Sequence, residues 1–533
     1  MINAVTMDDI PLSLTALVER AQSFTESDVV TRRPDGRIVR SNLGECARRA
    51  RCLATFLSDL GVGRGDVVAT LLWNQTEHLE LYFAVPAMGA TLHTLNPRLH
   101  PDELAFIAND AGDSILVVDE SLLDVASGVI GKHSFNCVIV VTSGEPVPDG
   151  MIGYETCIPT TEPMTWPVLD ERSPAVMCYT SGTTGRPKGV VYSHRALVLH
   201  SMAAALPDAI GISRQDTVLP VVPLFHANAW GLPYAAALVG ASIILPGPRL
   251  DPVNVLDLLA NEHVTVTAGV PTVWMAMLAA LDAEPNRWNL SRLNRLIVGG
   301  AAVPRSMFEG YDKHGLEVVQ AWGMTALAPL GATSQVPRKL QAGDDSGARY
   351  AYRARQGTAL PLLEIRAVDD SGSPVDRDDT AVGELHVRGP WVAGAYHNGR
   401  GADSFTTDGW FRTGDVVQID QRGSIRISDR AKDLVKSGGE WISSVDLENH
   451  LMNHPAVAEA AVIAVPDPRW GERPLAVVVP RTGHTVEPDE LRDHLLTEFA
   501  KWQVPERFEF ISEIPRTATG KFRKTALREQ FPE

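Results

Sequence analysis

Residues 179–190 read YTSGTTGRPKGV. The apolar run AVMC (175–178) precedes them and predicts a strand. The stretch itself is too polar and too rich in glycine for a helix. Glycine opens backbone conformations closed to other residues. Hydroxyls and free N–H groups in such a turn can face an anion, and Lys188 adds a positive charge. The pattern predicts a phosphate-binding loop at the end of a strand. An exposed flexible loop is the bland alternative. It is not a G-x-x-x-x-G-K-[ST] loop, because Gly182, Gly185 and Lys188 are spaced by three and Gly189 follows the lysine.

The same strand-then-turn rhythm continues outward. DVVATLLWN (66–74) predicts a buried strand, TEHLELYFAVPAMGA (76–90) a helix, ATLHTLNP a strand and HPDELAFIANDAG (100–112) a helix. SILVVDE and CVIVVTS predict two more strands. Over 216–300 the pattern returns with TVLPVVPLFH, ASIILP, HVTVTAGVP and RLIVGGAAVP as strands, and helices near 251–261 and 272–282. Alternation of this kind predicts parallel sheets covered by helices. After about 360 the character changes to short strands with turns, including an Arg-Gly hairpin at 422–423. A final unit combines the helices SVDLENHLMNHP and PDELRDHLLTEFAKW with the strands AVAEAAVIAVP and RPLAVVVP. The predicted class is therefore α/β. A large N-terminal domain of mixed and parallel sheets (1–429) precedes a small, mobile α+β C-terminal domain (430–533). The boundary falls in SDRAKD, 428–433.

A chain of 533 residues exceeds the usual size of one domain. Its net charge of −17 excludes nucleic acid or an anionic membrane as the main partner. Any anionic ligand must be held by a local basic or N–H-rich pocket. Five cysteines, Cys46, Cys52, Cys137, Cys157 and Cys178, are scattered and odd in number, which suits a reducing compartment. The start MINAVTMDDIPLSL lacks the pattern of a signal peptide. The longest uncharged stretch, 227–248, is broken by proline and glycine and predicts no transmembrane segment. A cytoplasmic protein is expected.

Five further stretches carry chemistry. VVPLFHANAWG (221–231) places His226 and Trp230 in an apolar strand-to-loop segment, although a buried structural histidine would look the same. VGGAAVP (298–304) runs a strand into small residues that admit a flat ligand. QAWGMT (320–325) sets an aromatic, a glycine and a threonine after a strand. FRTGDVV (411–417) offers an acid at a glycine turn, of the kind that binds ribose hydroxyls. ATGKFRK (518–524) sets Lys521 after a glycine, where a solvated basic tail is the bland alternative.

In their order, YTSGTTGRPKG, GWFRTGD, KSGGEWIS and TGKFRK make the chain resemble the adenylate-forming superfamily of acyl-CoA synthetases, adenylation domains and luciferases. VVYSHRALVLH, VVPLFHANAWGLPY and AGVPTVW look most like its medium- and long-chain fatty-acyl-CoA ligases. The resemblance implies that ATP activates a hydrophobic or aromatic carboxylic acid as an acyl-adenylate, which is then transferred to coenzyme A, with Mg²⁺ present. It implies that Thr180, Ser181, Gly182, Thr183, Thr184, Gly185 and Lys188 hold phosphates. Gly300 and Ala301 would flank the adenine, Trp322 its other side, and Thr325 the α-phosphate, with Gly323 and Met324 also at the nucleotide. Asp415 would accept from the ribose, with Arg430 in support. Lys521 would reach between carboxylate and α-phosphate, with His226, Trp230 and Gly299 near the acyl group. Lys432 falls at the hinge, and Gly438 and Gly439 in the loop that enters for thiol attack. No residue is assigned to a metal. Where the resemblance would place a magnesium-binding glutamate, the chain has Ala326. That departure keeps two alternatives open: a diazotase-like enzyme that activates nitrite for an aromatic amine, and a catalytically weak nucleotide-binding regulator. A homodimer is a further expectation.

Overall fold

The computed structural model describes residues 7–158, 163–180, 186–343, 345–430, 433–437, 440–517 and 520–532. Three sheets organise them. The first has seven strands in the order Ile152–Gly153, Cys137–Val141, Asp113–Asp119, Val67–Leu71, Thr91–Thr94, Pro174–Tyr179, Gly189–Ser193. Its pairs are parallel except the last, in which Tyr179 stands opposite Gly189. The YTSGTTGRPKGV stretch is therefore the connection between two antiparallel strands at the sheet edge.

The second sheet has thirteen strands. Its parallel part runs Val318–Gly323, Arg295–Gly299, Val266–Gly269, Thr217–Pro220, Ser242–Leu245, Asp28–Arg32. An antiparallel extension carries the short strands expected after residue 360, including Phe411–Ile419 and Ser424–Arg430. Gly423, at φ 82°, makes the turn between those two strands.

Helices fill the space between the two large sheets. All twelve residues of the helix Thr76–Ala87 are buried, and its polar side chains are paired: Glu77 with Arg33, Glu80 with Arg49 and His78 with Thr70. Tyr82 and Phe83 join Leu53, Val68, Leu92, Tyr234 and Ile243 in one apolar cluster that draws on both sheets. The third sheet is a separate unit of five strands packed on Ser444–Met452 and Pro488–Leu496 around Leu447, Leu451, Val462, Val478 and Leu491.

The structure corrects three details. The helix expected through Trp502 ends at Leu496. The strand expected over TVLPVVPLFH stops at Pro220, since Pro220 and Pro223 have no N–H to give a ladder. Trp322 lies within the strand Val318–Gly323 rather than after it. The hairpin Asp28–Arg32/Ile38–Asn42 and the helix Leu43–Asp59 were not expected. The hairpin closes the far edge of the large sheet, beside Ser242–Leu245.

Candidate active site

In parallel sheets ligands gather at the carboxyl ends of the strands. Here the strands Thr217–Pro220, Val266–Gly269 and Arg295–Gly299 deliver the segments bearing His226, Val270 and Gly300 to that end. Gly300 has φ 88°, which disfavours any side chain there, and a Cβ built on it would make ordinary contact with Val270 and with Cε of Lys521, at 3.4 and 3.5 Å. Gly300 and Ala301 are both exposed. Lys521 belongs to the C-terminal unit. A turn places it there: the Thr517 N–H donates to the Lys521 carbonyl at 2.7 Å and the Lys521 N–H to the Thr517 hydroxyl at 3.2 Å. A Cβ built on Gly520 would lie 3.7 Å from the Thr272 hydroxyl. A lysine 221 residues further along the chain is thus set beside the strand-end glycine.

His226 faces the same place. Burial, with the charges of Lys521 and Arg98 adding to it, pushes the imidazole down to about 4. It is neutral at pH 7, so it can donate or accept a hydrogen bond without adding a charge. After it, Ala227, Asn228, Ala229 and Trp230 all have positive φ, from 43° to 58°. Four consecutive non-glycine residues in the left-handed region store strain. This turn lays the Trp230 ring against Gly299, 3.0 Å from where its Cβ would be.

Trp322 and Asp415 come from different strands and meet directly. The indole N–H donates to Asp415 Oδ2 at 2.9 Å, and Arg430 Nε lies 2.6 Å from Oδ1. Asp415 is 1% exposed. The Thr325 carbonyl accepts from the Tyr192 hydroxyl at 2.7 Å, and Gly323 and Met324 lead from Trp322 into that turn.

The loop residues Ser181, Gly182, Thr183, Thr184 and Gly185 lie outside the described residues, as do Lys432, Gly438 and Gly439. Both ends of this loop are described, and they close on each other. The Thr180 N–H donates to the Lys188 carbonyl at 3.0 Å, and the Lys188 N–H to the Thr180 hydroxyl at 3.1 Å. The Lys188 ammonium stands 5.0 Å from the centre of the Tyr396 ring. Sequence reasoning missed Arg98, whose guanidinium lies 5.7 Å from the Phe225 ring. Its signal was its place in LNPRL, just past a parallel strand. It also missed Tyr396, which has no motif around it.

Ala326 is 2% exposed and packs with Trp322, Leu327 and Phe411. Among the described residues no group of three His, Cys, Asp or Glu side chains could hold a metal. Magnesium accepts phosphate and water oxygens, so it fits this site as an ion borne by ATP and not as one caged by protein carboxylates. Among the described residues no helix is long and apolar enough to cross a membrane.

The model of the AMP-binding enzyme family matches residues 18–397, and that of the AMP-binding enzyme C-terminal domain matches residues 446–521. The chain belongs to the family of AMP-binding enzymes. It is 50% identical over 531 residues to a long-chain-fatty-acid–CoA ligase of Thermus thermophilus, covering 99% of this chain and 97% of that one. It is 42% identical over 530 residues to a 3-methylmercaptopropionyl-CoA ligase of Ruegeria pomeroyi, covering 98% and 97%. Its fold is similar to that of the anthranilate CoA ligase AuaEII in complex with anthranoyl-AMP, with a TM-score of 0.86, 25% identity and coverage of 98% and 99%. These relatives support acid activation, and nothing in them supports the nitrite alternative.

Proposed function

We propose that the protein is an AMP-forming acid–thiol ligase that activates a hydrophobic carboxylic acid with ATP and transfers the acyl group to coenzyme A. The observation that carries this is Lys521 beside Gly300, with His226 lying in the field of its charge. A carboxylate and a triphosphate repel each other, so their meeting point needs a cation that arrives with the closing site. In the first step a carboxylate oxygen attacks the α-phosphorus, and the bond to the β-phosphate oxygen breaks to release pyrophosphate. In the second a thiol sulfur attacks the acyl carbon. The carbon–oxygen bond to AMP breaks, and the thiol proton passes to solvent.

Lys521 neutralises the charge that builds between the acid and the α-phosphate, as a compact ammonium on a flexible stem suits. Neutral His226 donates to the acid. Thr325 steadies the α-phosphate. Lys188 and the loop from Thr180 hold the β- and γ-phosphates. Asp415, Arg430, Trp322, Gly300 and Ala301 hold the nucleoside. Magnesium bound with ATP would add charge neutralisation for the leaving pyrophosphate. Residues 1–429 bind ATP and acid, and residues 430–533 move about Lys432 between the two steps, bringing the Gly438–Gly439 loop in for the thiol. The substrate class rests on the half-buried Trp230 and apolar turn beside Gly299, and on the relatives' own acids.

The test is to incubate the purified protein with ATP, Mg²⁺, coenzyme A and acids of increasing chain length, plus aromatic acids. AMP and acyl-CoA should form in equal amounts with at least one apolar acid. Pyrophosphate release without any acyl product, across the whole panel, would sink the assignment.

A further inference from the structure

The strand that leads into the glycine loop and the segment 396–401 are fastened to one carboxylate. Asp110 lies on the last turn of the helix Pro101–Ala111, with its side chain 7% exposed. Its Oδ2 accepts from the Tyr179 hydroxyl at 2.9 Å. Its Oδ1 accepts from Arg400 Nη2 at 2.6 Å and from Asn398 Nδ2 at 3.1 Å. Its backbone carbonyl takes a second bond from Asn398 at 3.3 Å and has His397 Nε2 at 3.0 Å. Burial opposes a charge on Asp110. The hydrogen bonds from Tyr179 and Asn398, with the charge of Arg400, outweigh it and hold the carboxyl below its ordinary range.

Both things that Asp110 grips adjoin the surroundings of Lys188. Tyr179 is the last strand residue before the loop and faces Gly189, next to Lys188, across the ladder. The segment 396–401 forms the niche of the Lys188 ammonium. The Tyr396 ring lies on one part of it, and Gly401, at φ 59°, stands so close that a Cβ would lie 2.5 Å from Nζ. A lysine has four rotatable bonds and no fixed direction of its own. Here its base and its tip are both referred to the same carboxylate, which comes from a third element of the chain.

We propose that Asp110 is a positioning residue for the triphosphate: it holds the root of the glycine loop and the niche of Lys188 in register, so that the Lys188 ammonium meets the β- and γ-phosphates. The proposal rests on the function given above for Lys188. It separates from a merely structural role because AMP lacks those two phosphates.

The experiment is calorimetric binding of ATP and of AMP to the full chain, for the parent, Asp110→Asn, Tyr179→Phe and the double variant. Asp110→Asn is expected to weaken ATP about tenfold and leave AMP unchanged. Tyr179→Phe, which removes one oxygen, should shift ATP in the same direction by less. The double variant should be no worse than Asp110→Asn alone, since the two residues act as one unit. Should Asp110→Asn fail to fold, Tyr179→Phe carries the comparison. Equal weakening of ATP and AMP, or no change in either, overturns the proposal. A parent that binds ATP but makes no acyl-adenylate with any acid would defeat the assigned activity instead, and the ATP–AMP difference would still decide the role of Asp110.

Discussion

Trp322 and Asp415 stand 93 positions apart in sequence, yet the indole N–H of one donates to the carboxylate of the other at 2.9 Å. With Arg430 on the second oxygen, the aromatic wall and the acid proposed for the nucleoside form one rigid unit. A hydrogen bond to a buried charged group is worth about 1.5–3 kcal/mol. Trp322→Phe keeps a ring and removes the donor. AMP affinity should fall by about tenfold or more, as read by calorimetry. Unchanged AMP binding would mean that the pair serves the fold and not the nucleotide.

Lys521 lies at the cleft although it belongs to the C-terminal unit. Lys521→Ala should nearly abolish acyl-adenylate formation while ATP still binds. Thioester formation from supplied acyl-adenylate should persist. The check is pyrophosphate release and thioester formation measured separately. Parental rates of pyrophosphate release in the variant would remove its assigned role.

Ala326 is buried against Trp322 and Leu327. A glutamate there would be desolvated, and an unpaired buried carboxylate destabilises the protein. Ala326→Glu should therefore lower the thermal midpoint of the ligand-free protein. If position 326 faces the triphosphate, ATP with Mg²⁺ should restore most of the loss, and ATP with a chelator should not. Thermal denaturation under the three conditions decides it: equal midpoints with and without the metal would place the side chain away from the ion.

His200 is fully buried, accepts the Leu330 N–H at Nε2 (3.1 Å), and is pushed down to about 4 by burial. A depressed folded-state value means that the unfolded chain takes up the proton first. The stability due to a neutral His200 is complete above about pH 6.5 and is lost as pH falls from there through about 4. The buried carboxyls of Glu80 and Glu448, raised by burial to about 7, work in the opposite sense. The comparison must therefore be between variant and parent. His200→Gln keeps an acceptor for Leu330 and cannot protonate. Denaturant midpoints at pH 7 and 5 should differ less in the variant than in the parent. An equal acid loss in both would mean that His200 does not couple to pH.

The sequence by itself determined the class of fold, because alternating apolar strands and helices have few ways to bury their faces. It also marked Lys188, Gly300, Trp322, Asp415 and Lys521 as chemically unusual, since each is or directly adjoins a glycine in a motif. Motif order tied them to one chemistry. It did not show that Trp322 bonds Asp415, that Lys521 adjoins Gly300, or that Asp110 grips both Tyr179 and Arg400. Asp110 carries no motif: in the sequence it is one more acid near the end of an amphipathic helix. Its meaning comes from partners 69 and 290 positions away. Local propensity acts over a few residues, whereas hydrogen bonds of this kind form only after the sheets have packed. The tertiary structure alone therefore decided which polar groups share a carboxylate, and so where Lys188 and Lys521 point.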